Sequence, residues 1–136
     1  MGNPIQTNIV AGVVIKNDGK YLLVQEKKPA VYGLWNFPAG KVEEGHTIEE
    51  TAIKEAKEEV GYDVKLLRKL DIFQAHAQTP PKHAFEGKII GGKLDWPKDE
   101  ILDAKWFTWE EIQGMQDKLR EEEWIIAAIS IMEHEK

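Results

Sequence analysis

The chain has 136 residues, of which 42% are hydrophobic and 31% charged, so its composition is that of one globular domain and not of a disordered or fibrous protein. It contains no cysteine, which excludes disulfides, thiolate metal sites and cysteine nucleophiles and permits the reducing cytoplasm that we expect as its location. Its 18 Lys and Arg against 24 Asp and Glu give a net charge of −6, which argues against a nucleic-acid or anionic-membrane binder. An anionic substrate would need a cation to hold it, and a metal ion is the obvious candidate.

The N-terminal part of the sequence predicts a β-hairpin followed by a loop. Two β-rich runs, Asn8–Lys16 and Lys20–Glu26, flank Asn17–Gly19, whose residues tolerate the positive φ angles of a tight turn. The apolar run that begins at Ile9 is short and lacks a cationic leader, so a strand is a better interpretation than a membrane span or a secretory signal. Lys27–Phe37 is rich in Pro, Gly and aromatic residues, and we predict a loop there.

A helix with signals at both ends follows. Thr47 and Glu50 form a capping-box pattern at its start, and Gly61 supplies a residue that can turn left-handed at its end. Apolar residues at helical spacing form one stripe, which we expect to face the core: Ile48, Ala52, Ile53, Ala56 and Val60.

The second half of the sequence predicts further strands and a second helix. The strands are expected at Val64–Ala75, Ala84–Ile90 and Lys105–Phe107. A turn at Thr79–Pro81 separates the first two, and Thr108–Glu111 repeats the capping-box pattern. The last helix is expected over Asp117–Glu133. Its inner side should carry Leu119, Trp124, Ile125, Ala128, Ile129 and Met132.

The order of these elements favours an α/β layered domain with a mixed β-sheet. Strands and helices do not alternate regularly enough for a barrel or a doubly wound fold. No internal repeat, linker or low-complexity tract interrupts the sequence, so we predict one domain over residues 1–136.

Three glutamates on the central helix carry the strongest chemical signal. Glu55, Glu58 and Glu59 stand at positions i, i+3 and i+4, so they share one helical face and repel one another. Lys54 and Lys57 are the only local compensating charges. A divalent cation would convert this repulsion into coordination, and all-oxygen ligands favour Mg²⁺ or Mn²⁺. Taken alone, such a string is more typical of a solvated acidic face.

The segment that includes this helix resembles a known motif. Gly40–Tyr62 is similar to the Nudix box, G-x5-E-x7-R-E-U-x-E-E-x-G-U, in which U is an aliphatic residue, and its spacing is intact. The residues before the box, Trp35–Lys41, and the later Glu100–Phe107 are also similar to elements of that family. From its sequence the chain is therefore identified as a member of the Nudix hydrolase family, MutT-like. The resemblance implies the Nudix fold, a mixed β-sheet sandwiched between α-helices.

Two positions depart from the motif. His46 stands where the box has its first Glu, and Lys54 stands where it has Arg. Lysine keeps the positive charge but lacks the planar two-pronged donor of arginine, and histidine cannot replace a carboxylate. We expect both changes to weaken the orientation of the catalytic carboxylates and to leave the metal ligands themselves in place.

The resemblance implies Mg²⁺-dependent hydrolysis of a pyrophosphate bond in a nucleoside diphosphate linked to another group, with Mn²⁺ able to substitute. The implied metal ligands are the Gly40 carbonyl, Glu55, Glu58, Glu59 and Glu100, the last of which can equally be a surface carboxylate. The implied catalytic residues are Glu58 or Glu59, which would orient or deprotonate the water, and Lys54, which would position carboxylates.

The substrate contacts expected from the sequence are a lysine and several aromatic rings. Lys41 is the candidate for a phosphate contact, and the ring contacts are expected from Trp35, Phe37 and Phe85, with Tyr32 and Phe73 as weaker candidates. Trp106 and Trp124 are assigned to packing. Glu121 is a weak candidate for reading a base, because its surroundings look like a solvated charge run. His76 and His83 lack a third ligand and are not expected to bind zinc.

The run Tyr32–Gly40 is similar to members that clean oxidised guanine nucleotides, so a purine nucleoside di- or triphosphate, an oxidised one first, is the leading substrate class. An ADP-ribose or nucleotide-sugar pyrophosphatase is the alternative enzyme. The alternative outside enzymes is a non-catalytic nucleotide-binding module, in which His46 and Lys54 mark a decayed site. A small-molecule nucleotide is the expected partner, with no nucleic acid and no membrane, and a homodimer is expected because many relatives dimerise.

Overall fold

The computed structural model describes residues 8–135, which form strands, three α-helices and two short 3₁₀ turns. The strands are β1 (Val10–Asn17), β2 (Lys20–Glu26), β3 (Trp35–Asn36), β4 (Ala39–Lys41), β5 (Tyr62–Phe73), β6 (Lys82–Gly92) and β7 (Ile101–Thr108). The helices are α1 (Ile48–Val60), α2 (Trp109–Gln113) and α3 (Glu122–Glu133), and the 3₁₀ turns are Pro29–Val31 and Gln116–Lys118.

The strands form one mixed sheet, as predicted. Its order is β3-β2-β1-β6-β5, with β4 also paired to β1 and β7 also paired to β2. β1 and β6 run parallel, and the other pairings are antiparallel. The pairing of β4 with β1 places Gly40 opposite Ala11, which brings the start of the Nudix-like segment onto a central strand.

Helices cover both faces of this sheet. On β1, Val13 and Ile15 pack in one core cluster with Ala56 and Val60 of α1, whereas Val14 packs in another with the residues of α3. β2 alternates in the same way between the two clusters. Both strands are thus buried on both faces, which is why their sequences read as nearly continuous apolar runs. The predicted arrangement of a sheet between helices is confirmed.

Helix α1 has the caps that its sequence predicts. The Thr47 hydroxyl accepts a hydrogen bond from the Glu50 amide at 3.0 Å, and the Glu50 carboxylate accepts one from the Thr47 amide at 2.9 Å. Gly61 ends the helix with φ at 78°, and its amide donates to the Lys57 carbonyl at 3.1 Å. Ile53 was expected on the buried stripe and is instead 40% exposed, because it lies about 100° around the helix from its neighbour Ala52.

Tertiary contacts change several element boundaries. The predicted loop Lys27–Phe37 contains a 3₁₀ turn and β3, because Trp35 and Asn36 pair with β2. β7 is longer than predicted, since it follows β2 from Lys20 to Glu26. β5 begins at Tyr62 and ends at Phe73, two residues earlier at each end than predicted.

The last helix is shorter than predicted because the chain is held in another conformation before it. Leu119 forms a β-bridge with Trp35, and Glu121 has a positive φ of 55°, which no α-helix can include. The helix therefore begins at Glu122 and not at Asp117. Within residues 8–135, none of the helices is both long and apolar enough to cross a membrane.

Replacement of Gly12 by alanine is expected to lower the free energy of unfolding by about 1–3 kcal/mol. A Cβ atom there would lie 2.6 Å from the Trp124 ring, which is buried and bonded to Asn36 and so cannot easily move. Urea unfolding followed by circular dichroism measures the change. Gly114→Ala is the matched control, because its Cβ would meet no atom closer than 3.5 Å. Equal stability of the two variants would contradict this packing.

Candidate active site

Helix α1, strand β4 and two loops enclose a cleft of about 730 Å³. One loop follows β2 at Lys27–Pro29, and the other precedes β7 at Asp99–Glu100. Acidic side chains line much of the cleft: Glu26, Glu43, Glu55, Glu58, Glu59, Asp99 and Glu100. The basic side chains that line it are Lys27, Lys28, Lys41, Lys54 and Arg120. The three glutamates singled out on α1 therefore face a cavity and not a flat solvated surface.

Glu55 and Glu59 form a carboxyl pair one helical turn apart. Burial raises the pKa of Glu59 well above its usual value, and the hydrogen bond with Glu55 and the negative charges of Glu55 and Glu26 raise it further. Burial likewise raises the pKa of Glu55, and the charges of Glu58 and Glu100 add to that effect. The Ala39 backbone amide donates to Glu59 and acts in the opposite direction. The pair is therefore two like charges in a confined place, stable only with a proton or a cation between them.

Gly40 of β4 packs directly against Glu55. A Cβ atom at this position would lie 2.3 Å from the Glu55 carboxyl group, closer than any real contact of that kind. Only glycine allows the strand to pass so close to the carboxylate. The short distance to Glu55 thus explains why the motif has glycine at its first position. That the Gly40 carbonyl binds the metal stays a prediction.

Glu58, Lys54 and Glu100 stand around this pair. The Lys54 amine lies 3.8 Å from the Glu58 carboxylate, and both side chains are exposed to the cleft. Glu100 enters from the loop before β7, and its negative charge contributes to the raised pKa of Glu55. The structure therefore brings all the predicted acidic ligands to one cleft.

The donor set fits a hard divalent cation. Among residues 8–135, no three His, Cys, Asp or Glu side chains are already gathered tightly enough to hold an ion. Glu55 and Glu59 are nevertheless in contact, confined and of like charge, and carboxylate oxygens are the ligands that Mg²⁺ prefers. Glu58 lines the same cleft with its exposed side chain 3.8 Å from the Lys54 amine, so it is the candidate for a third ligand.

His46 lies outside this cleft. It is exposed on the loop before α1, where its amide donates to the Glu43 carbonyl at 3.1 Å. Its charge would act on Glu50 of the capping box rather than on the carboxyl pair. Of the two departures from the motif, only Lys54 therefore touches the predicted ligands.

The aromatic residues predicted to contact substrate are buried instead. Phe37 is 1% exposed and packs edge-to-face on Trp124, with ring centres 5.0 Å apart. Trp35 is 8% exposed and packs in the same way on Phe107. Phe85 is buried in a different core cluster, beside Ala11 and Ala52. These three rings are packed in the core and expose almost no surface, which does not support a contact with substrate, and that contact stays an untested prediction. Lys41 does line the cleft.

The other aromatic residues and histidines considered in the sequence lie in different parts of the structure. Tyr32 is 62% exposed, and Phe73 borders a small cavity that Trp124 also lines. Trp106 packs against Tyr62, and Trp124 lies in the core, as predicted. His76 bonds Gln78 in an exposed loop. His83 is buried, and its Nδ1 has no hydrogen-bond partner among the described residues.

A second cavity of about 290 Å³ adjoins the first, and the two share several lining residues. Asn36 and Trp124 line it, and the Trp124 indole N–H donates to the Asn36 side-chain oxygen at 3.2 Å. Glu121 and the buried Lys82 also line it and form an ion pair. Asn36 was not predicted from the sequence. Its position between the aromatic residues Trp35 and Phe37 could have indicated it, because a polar residue in a buried strand needs a partner.

The sequence profile of the NUDIX domain matches residues 6–128. The chain belongs to the Nudix family. A Nudix hydrolase from Nitrosomonas europaea has a solved structure that aligns with a TM-score of 0.82 at 28% identity, covering 96% of this chain and 91% of that one. The fold and the family identification made from the sequence are therefore confirmed.

Two curated Nudix relatives differ in their named substrates. The "ADP-ribose pyrophosphatase" of Methanocaldococcus jannaschii is 33% identical over 98 residues, which cover 69% of this chain and 57% of that protein. The "8-oxo-dGDP phosphatase" of Danio rerio is 33% identical over 102 residues, which cover 73% of this chain and 31% of that protein. This chain spans between 31% and 64% of the length of the curated relatives compared.

Mg²⁺ affinity is expected to fall as the pH is lowered through the raised pKa of Glu59, because the carboxyl group must lose its proton before it can bind a cation. Calorimetric Mg²⁺ titrations from about pH 8 to about pH 5, in buffers of different ionisation enthalpy, measure both the affinity and the proton release. Glu59→Gln should reduce the proton release. A pH-independent affinity in this range would contradict the protonated pair.

Proposed function

We propose that this chain catalyses the Mg²⁺-dependent hydrolysis of a pyrophosphate bond in a nucleoside di- or triphosphate, with Mn²⁺ able to replace Mg²⁺. The observation that carries the proposal is the confined Glu55–Glu59 pair against Gly40, at the side of a cleft whose other walls carry lysines and an arginine. Acidic groups for a cation and basic groups for phosphates are both required by this chemistry. Both are present around one cavity.

The residues that would hold the cation are Glu55, Glu59, Glu58 and the Gly40 carbonyl, with Glu100 as a ligand from the opposite loop. When bound, Mg²⁺ supplies charge neutralisation at the phosphoryl oxygens. Lys41, exposed in the same cleft, is the candidate for a direct phosphate contact. With these charges in place, a pyrophosphate can approach a wall that would otherwise repel it.

A glutamate of α1 would accept the proton of the attacking water. Glu59 is a candidate for this role, because its carboxyl group lines the cleft beside Glu55 and a general base must lie within reach of the water. Glu58 is the alternative, since it is exposed to the cleft beside Lys54. Lys54 would hold the Glu58 carboxylate in one orientation. Its single amine does so less firmly than an arginine would.

The second cavity supports a nucleoside as one part of the substrate. It adjoins the carboxylate cleft, and Asn36 and Trp124 give it a polar amide beside an apolar ring. Relatives named for oxidised guanine nucleotides support an oxidised purine nucleotide as the first choice. The relatives named for ADP-ribose support ADP-ribose, or a nucleotide sugar, as the second.

Glu59→Gln is expected to lower kcat by about 100-fold or more, because it removes a metal ligand and a candidate base while keeping the shape of the side chain. Phosphate and pyrophosphate release from oxidised and unmodified purine nucleotides and ADP-ribose, with Mg²⁺ or with a chelator, measures the activity. Glu49→Gln is the matched control, since this exposed glutamate of α1 does not line the cleft.

Nucleotide binding without Mg²⁺-dependent release of product across this panel would contradict the enzyme and favour the non-catalytic binding module. The homodimer and the cytoplasmic location expected from the sequence stay predictions. So does the assignment of residues 1–136 to one domain.

A further inference from the structure

Arg120 lies where the two cavities meet. It borders both the carboxylate cleft and the Asn36–Trp124 cavity, and its side chain is 31% exposed. The sequence placed it at the edge of a charge run that looks solvated. The structure instead puts it on the path between the predicted metal site and the proposed nucleoside cavity.

The backbone around Arg120 is fixed by contacts on both sides. Its amide donates to the Trp35 carbonyl at 2.8 Å, and Leu119 forms a β-bridge with the same residue. Glu121 follows with a positive φ of 55°, and its carboxylate pairs with the buried Lys82. A non-glycine residue keeps such a conformation only when its surroundings impose it, and such positions concentrate at functional sites.

The Arg120 guanidinium is paired with a buried carboxylate. One of its terminal nitrogens donates to the carboxylate of Glu26, which is 7% exposed. Within residues 8–135, Glu26 is the one side chain that the guanidinium bonds. A guanidinium has five N–H donors, so most of them remain for a ligand in the cavities.

The charges around the cavities are separated in a way that suits an extended nucleotide. Lys28, Lys41 and Arg120 border both cavities, whereas Glu55 and Glu59 border the first only. We define these three cations as the cationic junction. A nucleotide with its base in the second cavity and its reacting phosphates beside α1 must place the phosphate nearest the sugar at this junction. Arginine is well suited to a phosphate there, because its planar donors match phosphate oxygens.

We propose that Arg120 binds the phosphate attached to the nucleoside 5′ oxygen and that Glu26 holds the guanidinium in position for it. This proposal rests on the proposed function for the direction in which the substrate lies. It makes Arg120 a residue that selects nucleotides over substrates without a nucleoside monophosphate unit. The competing role is purely structural, in which Arg120 serves only to neutralise the buried charge of Glu26.

Binding of nucleoside monophosphates separates these roles, because they carry the phosphate in question and need not be hydrolysed. Titrations of GMP and AMP, with guanosine and adenosine alongside, are made in Mg²⁺ on wild type, Arg120→Gln, Glu26→Gln and the double variant. The double variant removes both members of the pair, so no unpaired charge remains buried. Lys88→Gln is the control, an exposed lysine outside both cavities.

Arg120→Gln and the double variant should both bind the monophosphates roughly 10- to 100-fold more weakly, with nucleoside affinity unchanged, since a charge-assisted hydrogen bond is lost. Wild-type affinity in Arg120→Gln, or recovery of wild-type affinity in the double variant, would overturn the proposal in favour of the structural role. An equal loss of affinity for nucleosides would overturn it in favour of a base contact. Failure of the wild type to bind either monophosphate would also overturn it, because there would be no phosphate contact to assign.

This result is independent of turnover. If the wild type hydrolyses nothing in the nucleotide panel but binds monophosphates in an Arg120-dependent way, the proposed hydrolysis fails and the Arg120 assignment stands. If hydrolysis is confirmed and Arg120→Gln leaves monophosphate binding and KM unchanged, the Arg120 assignment alone fails.

Discussion

The arrangement of the site depends on the contact between the Glu55 and Glu59 carboxyl groups, which the close approach of Gly40 permits. Glu55 and Glu59 lie one turn apart on α1, and Gly40 of β4 passes so close that any Cβ atom would overlap the Glu55 carboxyl group. This contact costs electrostatic free energy in the metal-free protein, because burial and like charge both disfavour ionisation. A bound cation would offset this cost, because the confinement and the like charge of the two carboxylates both favour coordination.

The rest of the fold holds this contact in place. β4 pairs with the central strand β1, and Ala56 and Val60 anchor α1 on the same sheet. On the opposite face, Phe37 packs against Trp124, and Trp124 lines the second cavity. The packing of these aromatic residues thus shapes the second cavity. The cationic junction then connects this cavity to the carboxylate cleft.

The local features were predictable from sequence, whereas features set by distant contacts were not. The caps of α1 and the spacing of Glu55, Glu58 and Glu59 depend on residues within one or two helical turns, so both could be inferred. The burial of Phe37 depends on Trp124, far along the chain, and an aromatic residue beside a motif looks the same whether it lines a cleft or the core. Arg120 was missed because its partner Glu26 lies 94 positions away in sequence. The start of α3 was misplaced for a similar reason, since the bridge between Leu119 and Trp35 overrides helix propensity.

The most direct test is a crystal structure of this protein with Mn²⁺ and a non-hydrolysable nucleoside triphosphate, with the manganese located by its anomalous scattering. The account predicts manganese about 2.0–2.4 Å from carboxylate oxygens of both Glu55 and Glu59, with phosphate oxygens of the nucleotide in the same coordination shell. Manganese and phosphates bound elsewhere, with the Glu55 and Glu59 carboxyl groups still bonded to each other, would contradict it.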